Sequence, residues 1–270
     1  MKITFLGGGN MANALIGGLR KQGFSAAGIQ VVEPVAELRE KLTDTYGVRC
    51  AEAVDASALN CEVLVLAVKP QVMRHALEPV AGRIGDALVI SIAAGLRIAD
   101  LARWLGNHAR VVRCMPNTPA LIGAGITGLY ADPRVSHEER ETADRILRAV
   151  GRTLWIDDEG QMDAVTAVSG SGPGYVFYFI EALQEAAIEQ GFDADTARLL
   201  AIETFVGSAR LAESSTESVG VLRERVTAKG GTTEAALKSF DADRVAAAIR
   251  RGVAAAQARG SELCDLLGAD

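Results

Sequence analysis

The chain has 270 residues, of which 49% are hydrophobic, and its formal net charge at pH 7 is −6. A chain of this length and hydropathy buries a large core in one or two domains, which excludes a disordered protein. The acidic balance, without a run of Lys and Arg, argues against nucleic acid or an anionic membrane surface as partner. No apolar stretch reaches the roughly 20 residues that cross a bilayer. We expect a cytoplasmic protein with a small-molecule ligand.

The first predicted element is a buried strand over Ile3–Leu6, which runs into the pattern Gly7-x-Gly9-x-x-Ala12 and then a helix. Gly7 allows a tight turn, and the absence of a side chain at Gly9 lets a pyrophosphate approach the backbone. The small Ala12 lets strand and helix pack closely, and the helix N-terminus attracts phosphate. This arrangement predicts a dinucleotide-binding turn.

A second predicted strand over residues 29–32 ends in Glu33. An acidic side chain about 20 residues beyond the glycine turn accepts hydrogen bonds from the adenosine ribose. A carboxylate there also repels the 2′-phosphate of NADPH, so we expect NADH to be preferred. The alternative is that Glu33 turns to solvent and that a cation elsewhere favours NADPH.

The rest of the first half alternates apolar strands with helices, which predicts a doubly wound, mostly parallel Rossmann-like sheet. Its further strands are expected at residues 48–50, 62–68, 88–92, 110–114, 125–131 and 153–156. Beyond about residue 162 only helical patterns follow, at residues 173–190, 194–213, 217–226, 232–239 and 243–266. We therefore predict a dinucleotide-binding domain over 1–160 and an all-α domain over 161–270. Ligands are expected beyond the carboxyl ends of the parallel strands.

The cysteines and histidines are scattered. Cys50, Cys61, Cys114 and Cys264 form no C-x-x-C pair, as expected of reduced thiols in a cytosolic protein. The three histidines have no metal-ligand spacing. We expect neither a disulfide framework nor a metal site.

Two stretches of the helical half carry further signals. The segment 169–174 is rich in Ser and Gly and precedes a cluster of aromatic residues, 175–179, which favours a core and subunit interface over an aromatic ligand site. The pair Gly230-Gly231 precedes Thr232, Thr233 and a helix, and such an N-terminus is suited to a carboxylate or a phosphate. Thr as an ordinary helix cap is the alternative.

Taken together, these motifs resemble those of the pyrroline-5-carboxylate reductases over nearly the whole chain. The motifs, in the order and spacing of that family, are Gly7-x-Gly9-Asn10-Met11-Ala12, Ala67-Val68-Lys69-Pro70, Ser91-Ile92-Ala93-Ala94-Gly95, Met115-Pro116-Asn117-Thr118-Pro119, Ser169-Gly170-Ser171-Gly172-Pro173 and Gly230-Gly231-Thr232-Thr233. The resemblance implies reduction of L-1-pyrroline-5-carboxylate to L-proline by hydride transfer from NADPH or NADH, the last step of proline biosynthesis. It also implies homodimers, or rings of dimers, joined through the C-terminal helices.

The expected site residues form two groups. The cofactor group, drawn from the resemblance and from the loops beyond the strands, comprises Leu6, Gly7, Gly8, Gly9, Asn10, Met11, Glu33, Ala67, Val68, Lys69, Pro70, Ala94, Gly95, Pro116 and Asn117. The substrate group implied by the resemblance comprises Lys229, Gly230, Gly231, Thr232 and Thr233, with the Thr233 hydroxyl as the expected donor to the ring nitrogen. Many relatives have Ser-Pro where this chain has Ala228-Lys229, so a hydroxyl is absent and Lys229 is expected to substitute electrostatically.

Two other functions remain open on the sequence. A β-hydroxyacid or 6-phosphogluconate type dehydrogenase shares the Rossmann start and the helical second domain, but it uses a Lys on the interdomain helix as acid and base. The corresponding residues 172–190 contain no Lys. A non-catalytic dinucleotide-sensing regulator is the other alternative, and the acidic charge argues against a DNA-binding form of it.

Overall fold

The computed structural model describes residues 1–269. The chain divides into two compact units. One comprises Met1–Ser171 together with the chain from Ala256 onward, and the other comprises Gly172–Ala255.

The first unit contains one eight-stranded sheet. Its strands are β1 Ile3–Leu6, β2 Ile29–Val32, β3 Arg49–Ala51, β4 Val63–Leu66, β5 Leu88–Ser91, β6 Val111–Met115, β7 Gly125–Ala131 and β8 Gly151–Trp155. The strand order is β3-β2-β1-β4-β5-β6-β7-β8. Strands β1 to β6 run parallel, β7 is antiparallel to β6, and β8 is parallel to β7. The predicted doubly wound, mostly parallel sheet is confirmed.

Six α-helices connect these strands, and a seventh follows β8. They are α1 Asn10–Lys21, α2 Ala36–Tyr46, α3 Ala56–Leu59, α4 Pro70–Leu77, α5 Ile98–Trp104, α6 His137–Leu147 and α7 Gln161–Val165. Local chemistry sets their ends: Ser136 and Glu139 form a capping box at the start of α6, and Gly47 ends α2 with φ 67°. The short helices α3, α5 and α7 escaped sequence prediction because one or two turns show too little periodicity.

Apolar side chains cover both faces of the sheet. On one face, Leu15 and Leu19 of α1 pack with Ile146 of α6, and on the other Met73 of α4 packs with Leu101 of α5. Because the central strands are buried on both sides, their sequences are continuously apolar rather than alternating.

The second unit is entirely helical, as predicted. Its helices are α8 Gly172–Glu189, α9 Ala194–Ser214, α10 Val219–Arg225, α11 Thr232–Ala242 and the first part of α12, which runs over Val245–Gly268. Within residues 172–255 only Ala197 and Ala201 are buried, whereas Phe177 and Tyr178 are 65% and 67% exposed. An isolated copy of this unit therefore leaves most of its apolar surface uncovered.

The otherwise apolar strand β6 contains a buried charged side chain. Arg113 of β6 is 3% exposed, and its guanidinium lies 3.1 Å from Glu159 and 3.4 Å from Asp163. It also donates to Cys264 Sγ of α12 at 3.5 Å. This ion pair cluster joins β6, α7 and the last turns of α12, and the two carboxylates balance the buried charge.

Candidate functional site

The loop between β1 and α1 is packed on one side and open on the other. Gly7 has φ 101°, and a Cβ there would lie 2.7 Å from the carbonyl oxygen of Ala67. Its N–H donates to Val32 O at 2.8 Å. A Cβ on Gly9, by contrast, would meet no atom within 4 Å. Gly7 is therefore needed for the fold of the loop, whereas Gly9 leaves space above the backbone for a ligand.

That space lies at the N-terminus of α1. Gly9 is the N-cap residue, and no side chain caps the helix. The first N–H groups of an α-helix have no partner within the helix, so they are available to an anion together with the positive end of the helix dipole. The chain order reverses between β1 and β4, and such switch points are where dinucleotides bind. The loop therefore fits the pyrophosphate of a dinucleotide.

Glu33 is turned toward this loop and not toward solvent. Its side chain follows β2 and is only 7% exposed. One carboxylate oxygen accepts from Gly8 N–H at 2.8 Å, and the other accepts from Val35 N–H at 2.9 Å. A Cβ on Gly8 would lie 3.2 Å from Glu33 Cγ and 2.8 Å from Leu42 Cδ1. Glu33 and the glycine loop are thus fitted to each other.

Arg39 also belongs to this region, although it is not among the residues predicted from the sequence. Its Nη1 donates to the carbonyl oxygens of Glu33 and Pro34 at 2.8 and 2.7 Å. Its Nη2 lies 3.6 Å from Glu52 Oε2. The one indication in the sequence is that Arg39 lies in the first turns of α2, directly after the loop that carries Glu33.

The remaining loops expected to hold cofactor follow β4, β5 and β6. Lys69 is an exposed N-cap residue of α4, and Gly95 has φ 71°. The Asn117 amide is engaged within the protein: Oδ1 accepts from Ile126 N–H at 2.9 Å, and Nδ2 donates to Ser169 O at 3.1 Å. Because these strands are parallel to β1, all these loops lie at one edge of the sheet, and Asn117 shapes its loop through its amide.

The expected substrate residues lie on the second unit, at the start of α11. Gly231 is the N-cap residue and no side chain caps the helix, while Gly230 has φ 76°. Within residues 1–269 the Thr233 hydroxyl makes no hydrogen bond, and Lys229 is exposed. The first turn of α11 is therefore a second N-terminus with available N–H groups, and it carries a hydroxyl.

Glu234 organises the turn before α11. One of its oxygens accepts from Gly230 N–H at 2.6 Å, and the other lies 3.2 Å from Lys238 Nζ. Glu234 is the third residue of the helix, and a Glu there that accepts from the preceding backbone forms half of a capping box. This position is the feature of the sequence that could have predicted its role. Lys238 offsets the charge that Glu234 brings to the turn.

An apolar groove of about 460 Å³ lies between α8 and α12 within the second unit. Tyr178, Phe179, Ile249 and Val253 line it, together with Tyr175. The Tyr175 hydroxyl is buried and has no hydrogen-bond partner within residues 1–269. Burying a hydroxyl without a partner is costly, so this groove is incomplete in a single chain.

Three of the four thiols are unsuited to nucleophilic chemistry. All four cysteines are free, and burial raises the pKa of the Cys114, Cys61 and Cys264 thiols. No group of His, Cys, Asp and Glu within the described residues has an arrangement that could hold a metal ion. Nor does any helix of residues 1–269 combine the length and the hydropathy needed to cross a membrane.

Both halves of the chain match known families. Residues 159–263 match the family described as pyrroline-5-carboxylate reductase dimerisation, and residues 2–95 match the family described as NADP oxidoreductase, coenzyme F420-dependent. The pyrroline-5-carboxylate reductase of Pseudomonas aeruginosa is 46% identical over 268 residues, which is 99% of this chain and 98% of the relative. That of Haemophilus influenzae is 43% identical, with 97% of each chain covered.

Solved structures agree with these relatives. The pyrroline-5-carboxylate reductase of Coxiella burnetii superimposes with a TM-score of 0.92 at 39% identity, over 97% of this chain and 98% of that one. The enzyme of Plasmodium falciparum, solved with NADP bound, gives a TM-score of 0.88 at 27% identity, over 98% of each chain.

Proposed function

The chain belongs to the pyrroline-5-carboxylate reductase family, and on that premise we propose that it reduces L-1-pyrroline-5-carboxylate to L-proline with NADH or NADPH. This is the last step of proline biosynthesis. The proposal rests on sequence similarity to a known reductase over 99% of this chain. The matched length includes both the glycine loop of the first unit and the helix N-terminus of the second.

The first unit holds the cofactor in this proposal. The open face of Gly9 and the N–H groups at the start of α1 receive the pyrophosphate, while Glu33 lies at the ribose end. The segments Leu6–Met11, Ala67–Pro70 and Ala94–Gly95, with Pro116 and Asn117, form the edge along which the cofactor extends. When bound, the reduced nicotinamide supplies a hydride to the imine carbon.

The second unit holds the substrate. The N–H groups at the start of α11 bind the substrate carboxylate, and the exposed Lys229 next to this turn attracts the same anion. The Thr233 hydroxyl donates a hydrogen bond to the neutral ring nitrogen, and this nitrogen takes a proton, relayed from solvent through the hydroxyl, as the imine carbon gains the hydride. A cyclic imine polarised in this way is electrophilic, so orientation of the reacting atoms is the main task of the protein.

We also propose that residues 1–160 act as the dinucleotide-binding domain and residues 161–270 as the substrate and dimerisation domain. The match of residues 159–263 to the dimerisation family supports oligomerisation. The exposed aromatic residues and the unpartnered Tyr175 hydroxyl support the helices α8 to α12 as the joining surface of a homodimer or a ring of dimers. The unpaired cysteines support a cytoplasmic location.

Two measurements test these proposals. Purified protein mixed with pyrroline-5-carboxylate should oxidise NADH or NADPH and form one proline per cofactor oxidised, and binding of cofactor without turnover would favour the regulator instead. Sedimentation of the full chain should give a dimer or a multiple of one. An active monomer at nanomolar concentration would refute the proposed assembly.

A further inference from the structure

We propose that Glu33, Arg39 and Glu52 together select NADH over NADPH at the adenosine-ribose end of the site. The proposal rests on the proposed function only for the presence of a dinucleotide in the first unit, and binding alone tests it. Glu33 repels the 2′-phosphate, and the neighbouring cation that would otherwise receive this phosphate, Arg39, is held away by the backbone and by Glu52.

Glu33 is a fixed negative charge. Its two oxygens are held by the N–H groups of Gly8 and Val35, and its own N–H donates to Ala51 O at 2.9 Å. With the side chain 7% exposed and packed against Gly8, the carboxylate cannot swing into solvent when a ligand arrives. A carboxylate only accepts hydrogen bonds, so it pairs with a ribose hydroxyl and not with an ionised phosphate.

Arg39 is the cation that this loop offers, and it is already occupied. Both hydrogens of Nη1 point to the carbonyl oxygens of Glu33 and Pro34, so moving the guanidinium to a phosphate would leave these two acceptors without their donor. An Arg in this region is what accommodates a 2′-phosphate in NADP-binding relatives of the Rossmann fold. Here the same residue type shapes the loop that presents Glu33.

Glu52 reinforces this arrangement from outside. It lies 3.6 Å from Arg39 Nη2, and its side chain is 76% exposed, against 22% for Arg39. An exposed ion pair of this kind contributes little to stability. The charge of Glu52 also partly neutralises the guanidinium, so Arg39 attracts a 2′-phosphate less strongly.

The test uses the full-length protein and calorimetric titration with NADH and NADPH, without imine. A second pair of probes, 5′-AMP and 2′,5′-ADP, isolates the contribution of the 2′-phosphate. The variants are Glu33→Gln, which removes the fixed charge, and Glu52→Gln, which removes the outer charge. Glu37→Gln is the matched control, because Glu37 is an exposed carboxylate in the first turn of α2.

We expect the wild type to bind NADH about 10- to 100-fold more tightly than NADPH. Glu33→Gln should remove most of this preference and Glu52→Gln a smaller part of it, chiefly because NADPH and 2′,5′-ADP bind more tightly to these variants. Glu37→Gln should leave the preference unchanged. A wild type that prefers NADPH overturns the proposal, as does an equal shift in the Glu37 control. If Glu33→Gln does not fold, the ratio of the wild-type affinities for NADH and NADPH, and the effect of the surface variant Glu52→Gln on that ratio, still test the proposal. Failure to reduce the imine would refute the proposed function but leave this binding ratio intact.

Discussion

Replacing Gly9 with Ala should weaken cofactor binding without unfolding the protein. Gly9 has φ −68° and ψ −172°, which Ala adopts freely, and its Cβ would meet no protein atom within 4 Å. Ala is a poorer N-cap than Gly, which lowers the stability of the folded protein, but it also restricts the unfolded chain, which raises it. Each effect is below about 1 kcal/mol, and the two oppose one another. The new methyl group instead occupies the space assigned to the pyrophosphate.

Forcing an extra methyl group into a filled site costs about 1–3 kcal/mol, which corresponds to roughly 5- to 150-fold in Kd. Titration with NADH and thermal unfolding of the same sample separate binding from stability. The control is Gly18→Ala, whose Cβ would lie 2.2 Å from the carbonyl oxygen of Ala149 and should lower Tm instead. A Gly9→Ala protein with wild-type affinity for NADH would refute the placement of the pyrophosphate.

Three further outcomes follow from particular side chains. Thr233→Ala should lower kcat by up to about 10²-fold, as expected for the loss of one positioned hydrogen-bond donor, while Thr233→Ser should retain most of the wild-type kcat. Unchanged kcat and KM in the Ala variant would show that Thr233 has no part in the mechanism. Arg113→Met should destabilise the fold by about 3–5 kcal/mol in denaturant unfolding, because Glu159 and Asp163 lose their buried partner, and a change below 1 kcal/mol would contradict this. Burial lowers the pKa of His108 below its ordinary value of 6.5, so the unfolded chain binds the extra proton and stability should fall as pH drops below 6.5. His108→Gln should flatten that acid decline, and an equally steep decline would assign it to other groups.

The sequence predicted the architecture well because its signals are local and strong. The strand Gly125–Ala131 lies at the residues predicted for it. Long helices such as α9 and α12 repeat their pattern over many turns, so their limits fall within a few residues of the prediction. Short helices lack this repetition.

Side-chain pairing was the part that the sequence could not supply. That Glu33 would bond to Gly8 depends on the register of β1 against β2, and that Arg39 would reach back to Pro34 depends on the turn between them. The ion pairs of Arg113 could not be predicted from the apolar strand that contains it, because its partners are 46 and 50 residues away along the chain. Contacts over such separations are fixed by the fold and leave no periodic trace.

The central claim is hydride transfer from a reduced nicotinamide to a cyclic imine. Its most direct test uses nicotinamide cofactor deuterated at C4 with unlabelled pyrroline-5-carboxylate, followed by mass spectrometry of the product. We expect one deuterium in each proline, on the carbon that was the imine carbon, and one oxidised cofactor for each proline formed. Proline without deuterium when each face of the cofactor is labelled in turn, or cofactor oxidation without proline, would contradict the assignment.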